Sequence, residues 1–169
     1  ALGNTSQAIS PYSPSALPGE LPPLLQPPSF AVDGKFRRLV ELLQAWYHRG
    51  HGIIVFVATK SRCVQLSQEL SARHSYHALI YHSDMTEPER AQALAAFRQR
   101  RNHLLIATAA ASRGLDVPHV RLVVNYDVPH HATDYTHRVG RTGRGVTEGV
   151  AVTFIAPHEA QFAPYLIKA

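Results

Sequence analysis

The sequence Ile53-Ile54-Val55-Phe56-Val57 is a continuous apolar run in which most side chains are β-branched. Such a run is typical of a strand that is buried on both faces of a parallel sheet. Similar runs predict further strands at about 77–81, Leu104 to Ala107, Val120 to Tyr126 and Val150 to Ile155.

Segments with the apolar spacing of helices separate these runs. Before the first strand, Phe36, Leu39, Leu43 and Trp46 recur on one helix face, and Asp33 is the predicted N-cap. Further helices are predicted at about 61–74, 86–100 and 132–140, and a last one begins near residue 157. Strands that alternate with helices indicate βαβ units. We therefore predict an α/β fold with a doubly wound, mostly parallel sheet and helices on both faces.

Length and composition divide the 169 residues into a tail and one domain. Residues 1–32 contain seven prolines and one charged residue, so we expect a largely extended or disordered linker there and a folded domain at 33–169. The formal net charge of +5 favours a polyanionic partner, most simply a nucleic acid.

The single cysteine, Cys63, excludes an internal disulfide and fits a reducing compartment, so we expect an intracellular protein of the nucleus, nucleolus or cytoplasm. No run of about 18 apolar residues is present, and no membrane association is expected.

The stretch His137-Arg138-Val139-Gly140-Arg141-Thr142-Gly143-Arg144 concentrates basic and flexible residues. Arginine is always charged and binds phosphate oxygens bidentately, and glycine allows another molecule to approach the backbone closely. A solvated basic helix end is the ordinary alternative for this spacing.

Polar residues follow the predicted strands, where ligands of doubly wound folds bind. They are Thr59-Lys60, His82-Ser83, Thr108, Arg113 to Asp116 and Asn125 to Asp127. The sequence contains no Gly-x-x-x-x-Gly-Lys-Ser/Thr phosphate loop, no Asp-Glu pair after a strand and no His/Cys cluster with metal spacing. The chain can therefore supply phosphate-binding arginines but no complete nucleotide site and no metal site.

These residues resemble the C-terminal RecA-like domain of a DEAD-box RNA helicase over about residues 35 to 167. The stretch 137–144 is similar to the family's motif VI, which is highly specific. Weaker resemblances to motifs IV, IVa, V and Va fall at Val55 to Thr59, His82 to Arg98, Ala107 to Asp116 and Val123 to Pro129.

For ATP, the resemblance implies that Arg141 and Arg144 are catalytic arginine fingers, which reach the γ-phosphate of an ATP held by a separate N-terminal RecA-like domain. It also implies that Asp116 accepts a hydrogen bond from the ribose and that Gly114 allows close approach. Mg²⁺ would be held, with most of the ATP, by the N-terminal domain.

Two further groups of roles follow from the resemblance. Arg113, His137 and Arg138 are expected to contact the N-terminal domain, with helix packing and capping as the alternative for His137 and Arg138. The residues expected to contact the RNA sugar-phosphate backbone, without sequence specificity, are Thr59, Ser83, Arg90 and Thr108.

The basic cluster of Arg98, Arg100 and Arg101 is interpreted as solubilising the end of the helix predicted at 86–100. The protein is expected to be a monomer, and the family resemblance allows an accessory protein as an additional partner.

The sequence departs from the family pattern near the predicted RNA contacts. Ala109 stands where the family usually has Asp, Ser83 stands in place of Gly, and Glu87 stands in place of Gln. Glu87 is expected to repel phosphate unless it points away.

The sequence therefore favours the second half of an ATP-dependent RNA helicase, inactive as an isolated domain. A non-catalytic, helicase-like RNA-binding scaffold is the alternative, and a free-standing nucleotide-binding domain is disfavoured because no glycine-rich loop follows the first strand.

Overall fold

The computed structural model describes residues 34–112, 117, 119–143 and 148–168. The predicted linker and the predicted N-cap Asp33 lie outside the described residues. The described chain forms one five-stranded sheet with the order β2-β3-β1-β4-β5, and every neighbouring pair of strands is parallel. The strands are β1 (Gly52–Val57), β2 (Leu79–Tyr81), β3 (Leu104–Thr108), β4 (Val120–Asn125) and β5 (Val150–Thr153).

Helices occupy the connections between the strands. They are α1 (Gly34–Trp46), α2 (Lys60–His74), α3 (Glu87–Arg98), α4 (Ala109–Ser112), α5 (Ala132–Val139) and α6 (Ala163–Lys168), with 3₁₀ turns at Tyr47–Arg49 and Pro157–Phe162. The predicted α/β fold with a parallel sheet is confirmed.

The core lies on both faces of the sheet because the side chains of β1 alternate between them. Ile53, Val55 and Val57 pack with residues of α1 and α2, such as Leu39 and Leu66. On the opposite face, Ile54 and Phe56 pack with Phe97 of α3. All residues of β1 are buried, which explains why the strand reads as an unbroken apolar run.

Most predicted boundaries agree with the structure to within one or two residues, and four differences have a physical reason. β2 begins at Leu79 rather than near 77, and β5 ends at Thr153 rather than Ile155. Both strands lie at a sheet edge and are only partly buried, so their hydrophobic pattern is weak. The predicted connection after β3 contains the short helix α4, and the last predicted helix begins as a 3₁₀ turn at Pro157.

Candidate functional site

The parallel arrangement brings the carboxyl ends of all five strands to one edge of the sheet. This carboxyl edge carries Ala58 and Thr59 after β1, Ser83 after β2, Thr108 at the end of β3 and Asp127 after β4. Residues that are up to 69 positions apart in the sequence therefore come together here.

Two of the predicted RNA-contacting residues are threonines at the carboxyl ends of adjacent strands, since Thr59 lies two residues after β1 and Thr108 ends β3. Thr59 is exposed and is the N-cap of α2, where its Oγ1 accepts a hydrogen bond from the backbone N–H of Arg62 at 3.3 Å. Thr108 ends β3 and is only 8% exposed. Thr59 thus presents its side chain to solvent, whereas little of Thr108 is open to a ligand.

The connection between β2 and α3 holds the other two predicted RNA contacts. Arg90 donates to the backbone carbonyl oxygens of Met85 at 2.7 Å and Ser83 at 3.3 Å. The Ser83 hydroxyl is exposed and donates to the Asp84 carboxylate at 3.4 Å. Arg90 therefore fixes the backbone that presents Ser83.

Carboxylates pair with the cations of this connection. Glu87 is exposed and forms an ion pair with Arg90, and Asp84 forms one with Lys60 at the start of α2. The hydrogen bond from Lys60 is the main reason that the pKa of Asp84 is lowered. Glu87 therefore points towards Arg90, so a phosphate that binds Arg90 has to compete with this carboxylate. Sequence reasoning missed Asp84, because its partner lies 24 residues away.

A capping box begins α3 next to these residues. Thr86 Oγ1 accepts from the backbone N–H of Glu89 at 3.5 Å, and the backbone N–H of Thr86 donates to the Glu89 carboxylate at 2.7 Å. This second hydrogen bond is the main cause of the lowered pKa of Glu89. The capping box fixes where α3 starts and hence where Arg90 emerges.

Asp127 links the end of β4 to the start of α2. Its Oδ2 accepts from the backbone N–H of Ala58 at 2.7 Å and lies 3.0 Å from Nε of Arg62. The Arg62 guanidinium also lies over the Tyr126 ring, 5.6 Å from its centroid. These contacts fix the turn that presents Thr59. The sequence does not indicate that Arg62 contacts Asp127 and Tyr126, because these contacts depend on the pairing of β1 with β4.

Arg138 of α5 points into its own domain and is only 7% exposed. Its Nη1 donates to the backbone oxygen of Asp127 at 3.0 Å and lies 3.4 Å from Oδ1 of Asn125. Its guanidinium also lies over the Phe56 ring, 5.5 Å from the centroid. This placement supports the packing alternative for Arg138, whereas a contact with another domain stays a prediction. His137 is exposed.

Arg141 lies on a turn that continues α5. Its Nε donates to the backbone oxygen of His137 at 3.0 Å, and its own N–H donates to that of Arg138 at 3.1 Å. The next residue, Thr142, is buried and donates from Oγ1 to the backbone oxygen of Val120 at 2.8 Å. Gly143 follows with a φ of +66°, a left-handed conformation that glycine adopts without strain. The turn thus holds the Arg141 backbone in a fixed position.

Several predicted site residues lie outside the described residues, namely Arg113, Gly114, Asp116 and Arg144. Within the described part of the chain, no three His, Cys, Asp or Glu residues are grouped so that they could hold a metal ion. Burial, with a smaller contribution from Asp127, raises the pKa of Cys63 to about 12, which leaves its thiol uncharged and unsuited to nucleophilic attack. None of the helices in the described ranges has the length and apolarity to cross a bilayer.

An all-parallel sheet with helices on both faces and polar residues gathered at its carboxyl edge defines a doubly wound α/β domain, the class that includes RecA-like domains. Comparison with known proteins agrees with this class. The family described as Helicase conserved C-terminal domain matches residues 34–146. The chain is 48% identical over 135 residues to DEAD-box ATP-dependent RNA helicase 42 of Oryza sativa subsp. japonica, an alignment that covers 80% of this chain and 13% of the relative.

Solved structures give the same result. The C-terminal domain of the DEAD-box protein Dbp5 has a TM-score of 0.70 and 34% identity, over 79% of this chain and 77% of that one. Dbp5 of S. cerevisiae bound to RNA and ADP BeF3 has a TM-score of 0.72 and 34% identity, over 79% of this chain and 35% of that one. The chain belongs to the helicase C-terminal domain family, as found in DEAD-box RNA helicases.

Proposed function

We propose that this chain is the second RecA-like domain of an ATP-dependent RNA helicase. The observation that carries the proposal is the joint placement of Thr59, Ser83, Arg90 and Asp127 at the carboxyl edge, next to the helix that leads into Arg141. The likeness to Dbp5 in its complex with RNA and ADP BeF3 supports the same reading. Because the chain spans 13% of the length of the rice relative, the activity belongs to a longer protein in this proposal.

On the ATP side, Arg141 and Arg144 approach the γ-phosphate when the two RecA-like domains close. Their guanidinium groups stabilise the negative charge that develops during phosphoryl transfer. Gly114 and Asp116 contact the nucleotide, and Arg113 and His137 contact the N-terminal domain. That domain holds Mg²⁺ together with most of the ATP.

On the RNA side, Thr59, Ser83, Arg90 and Thr108 contact the sugar-phosphate backbone. These contacts carry no sequence information, which suits an enzyme that acts on many duplexes. The ion pair between Glu87 and Arg90 weakens the phosphate contact, because the carboxylate has to give way first. We therefore expect weak RNA binding by this domain alone.

The test of the proposal is ATP hydrolysis by the full-length protein with Arg141→Ala. We expect kcat to fall by roughly 10³ or more, as for other arginine fingers, while RNA binding is largely kept. The control is Arg37→Ala, which removes an exposed arginine of α1. A variant at Arg141 that turns over ATP at a near-normal rate excludes its catalytic role.

A non-catalytic RNA-binding scaffold is the second candidate, and the Glu87–Arg90 ion pair is the observation that favours it. The two candidates differ in one result. RNA-stimulated ATP hydrolysis by the full-length protein establishes the helicase, whereas RNA binding without turnover establishes the scaffold.

A further inference from the structure

The opposite edge of the sheet, where the strands begin, carries a row of histidines. His51, His103 and His119 stand directly before β1, β3 and β4, and His77 stands two residues before β2. In the strand order β2-β3-β1-β4 they follow one another, and a strand spacing of about 4.8 Å gives the row a length of about 15 Å.

Hydrogen bonds fix the backbone of this row. Ile53 N–H donates to the His103 oxygen at 2.7 Å, and Gly52 N–H donates to the His119 oxygen at 3.0 Å. The Asn102 side chain donates to the His77 oxygen at 2.9 Å. The backbone of His103 and His119 is therefore fixed by main-chain hydrogen bonds at the start of the sheet, and that of His77 by the Asn102 side chain.

Arginines lie beside the row because the preceding helices end at this edge. Arg49 follows α1, and Arg100 and Arg101 follow α3, with all three exposed. The last turns of α1, α2 and α3 and the connections from them to β1, β2 and β3, residues 43–51, 71–78 and 95–103, contain no carboxylate. Glu69, which precedes the last turn of α2, pairs with Arg73. The amino-edge surface, which we define as Arg49, His51, His77, Arg100, Arg101 and His103, therefore has a net positive charge.

Aromatic rings are interleaved with these cations. The Arg49 guanidinium lies 5.7 Å from the centroid of the Trp46 ring, and the His51 ring lies 6.5 Å from the same ring. Next to His77, the exposed His74 ring is stacked on the buried Tyr76 ring, with 6.3 Å between the centroids, so that His74 is the ring open to solvent. Arginines with interleaved aromatic rings are the combination that single-stranded nucleic acids bind, through their phosphates and their bases.

Helix-end electrostatics account for only part of this arrangement. A basic residue in the last helical turn, such as Arg98, interacts favourably with the helix dipole. Arg100 lies beyond α3 and has a φ of +57°, and His119 has a φ of +68°. Glycine adopts this left-handed conformation without steric strain, whereas Arg100 and His119 do not, so the two side chains lower the stability of the fold.

We propose that the amino-edge surface is a second binding site for single-stranded RNA, which holds the part of a long strand that extends beyond the carboxyl edge. Arg100 and Arg101 bind its phosphates, and the histidine row stacks with its bases. The inference takes its ligand class from the proposed function but needs no ATP and no closure of domains.

The test measures RNA binding to the 169-residue chain by fluorescence anisotropy over a range of salt concentrations. Single strands of about 8 and about 30 nucleotides are compared, since single-strand sites cover up to about 16 nucleotides per module. The variant is Arg100→Gln with Arg101→Gln. The matched control is Arg37→Gln with Arg38→Gln, which removes two exposed charges from α1.

We expect the amino-edge variant to bind the long strand roughly tenfold more weakly, and the slope of log K against log salt to fall by about 1.4, or about 0.7 per lost phosphate contact. For the short strand, the affinities of the wild type and of the amino-edge variant should differ by less than about twofold. Arg100→Gly is a second variant, which should weaken binding of the long strand while it raises the melting temperature.

Three results overturn the inference: a wild-type chain that binds both lengths equally, a variant that loses no more than the control, or equal losses for both lengths. A failure of the proposed function is distinguishable, because it appears in ATP hydrolysis by the Arg141→Ala protein and leaves this comparison unchanged.

Discussion

Arg138 and Arg141 belong to one short basic stretch, yet the structure gives them different surroundings. Arg138 lies on the buried side of α5, where it meets Asn125, Asp127 and Phe56. Arg141 lies past the end of the helix and is half-buried, and its Nε donates to the backbone oxygen of His137, one turn back. The same residue type therefore lies in the domain interior at one position and on a turn at the other.

Arg138→Met is expected to lower the free energy of unfolding by about 1–3 kcal/mol, because it removes the hydrogen bonds to the buried side-chain oxygen of Asn125 and to the backbone oxygen of the half-buried Asp127. Arg141→Met is the matched control and should change the free energy of unfolding by less than about 0.5 kcal/mol. Urea unfolding of both variants makes the comparison. Equal effects of the two substitutions would contradict the difference in burial.

The sequence predicts a functional site in this stretch, which stays a prediction, and it does not predict the burial of Arg138. Its spacing shows which arginines share a helix face, whereas burial depends on where β4 ends and on the rotation of α5 against the sheet. The same limit applies to Asp84 and Arg62, whose partners are distant in the sequence. Residue types along the chain predict which side chains can bind a phosphate or form an ion pair. Which of them meet across the sheet depends on how the strands are paired and aligned, and this cannot be read from the sequence.

At the scale of elements, burial on both faces made most strands predictable. β1 and β3 are buried along their whole length and read as continuous apolar runs. β2 has only three residues and is partly buried, so its start was predicted two residues early. The helix α4 is a single turn of the Ala-rich segment after β3, too short to show any apolar period.

The start of α3 depends on its capping box, which gives a prediction for this element. Thr86→Ala is expected to lower the free energy of unfolding by about 1 kcal/mol, because the N–H of Glu89 loses its acceptor. Thr86→Ser keeps the acceptor oxygen and should stay close to wild type. Thermal unfolding followed by circular dichroism measures both.

Two further outcomes bear on the capping box. If Thr86→Ser is as unstable as Thr86→Ala, the methyl group and not the cap determines the effect. The pKa of Glu89 is lowered in the fold, so its contribution is present above the ordinary glutamate pKa and is lost as the pH falls. The difference between wild type and Glu89→Gln should therefore disappear in acid.

At the scale of the whole molecule, the two edges of the sheet have different chemistry. The carboxyl edge combines hydroxyl groups with ion pairs in which Asp84, Glu87 and Asp127 neutralise nearby cations. The amino edge carries arginines and imidazoles, and the residues that lead into β1, β2 and β3 there, 43–51, 71–78 and 95–103, include no carboxylate. Both follow from one topological fact: a parallel sheet sends all its strand ends to one side and all its strand starts to the other.

One ion pair joins the first and last described parts of the domain. Lys35 in the first turn of α1 donates to Glu159 at 2.6 Å, and the two side chains are only 13% and 17% exposed. Glu159 also accepts from the backbone N–H of Ala156 at 2.8 Å, which fixes the 3₁₀ turn before α6. Burial raises the pKa of Glu159, but the Lys35 and Ala156 hydrogen bonds outweigh it, and the net shift is downward.

Glu159→Gln is expected to lower the free energy of unfolding by about 1–2 kcal/mol at neutral pH, since it removes a charged, partly buried hydrogen-bond acceptor. A carboxyl whose pKa is lowered in the fold stabilises above its unfolded pKa and loses that effect as the pH falls through its folded pKa. The difference between wild type and variant should therefore shrink towards zero in acid. Urea unfolding at neutral and acidic pH measures this difference in the free energy of unfolding.

The control, Glu41→Gln, breaks the exposed pair with Arg38 and should change stability by less than about 0.5 kcal/mol at either pH. A difference for Glu159→Gln that persists in acid would mean that the amide disturbs packing, and that the charge of Glu159 does not hold the two ends of the domain together.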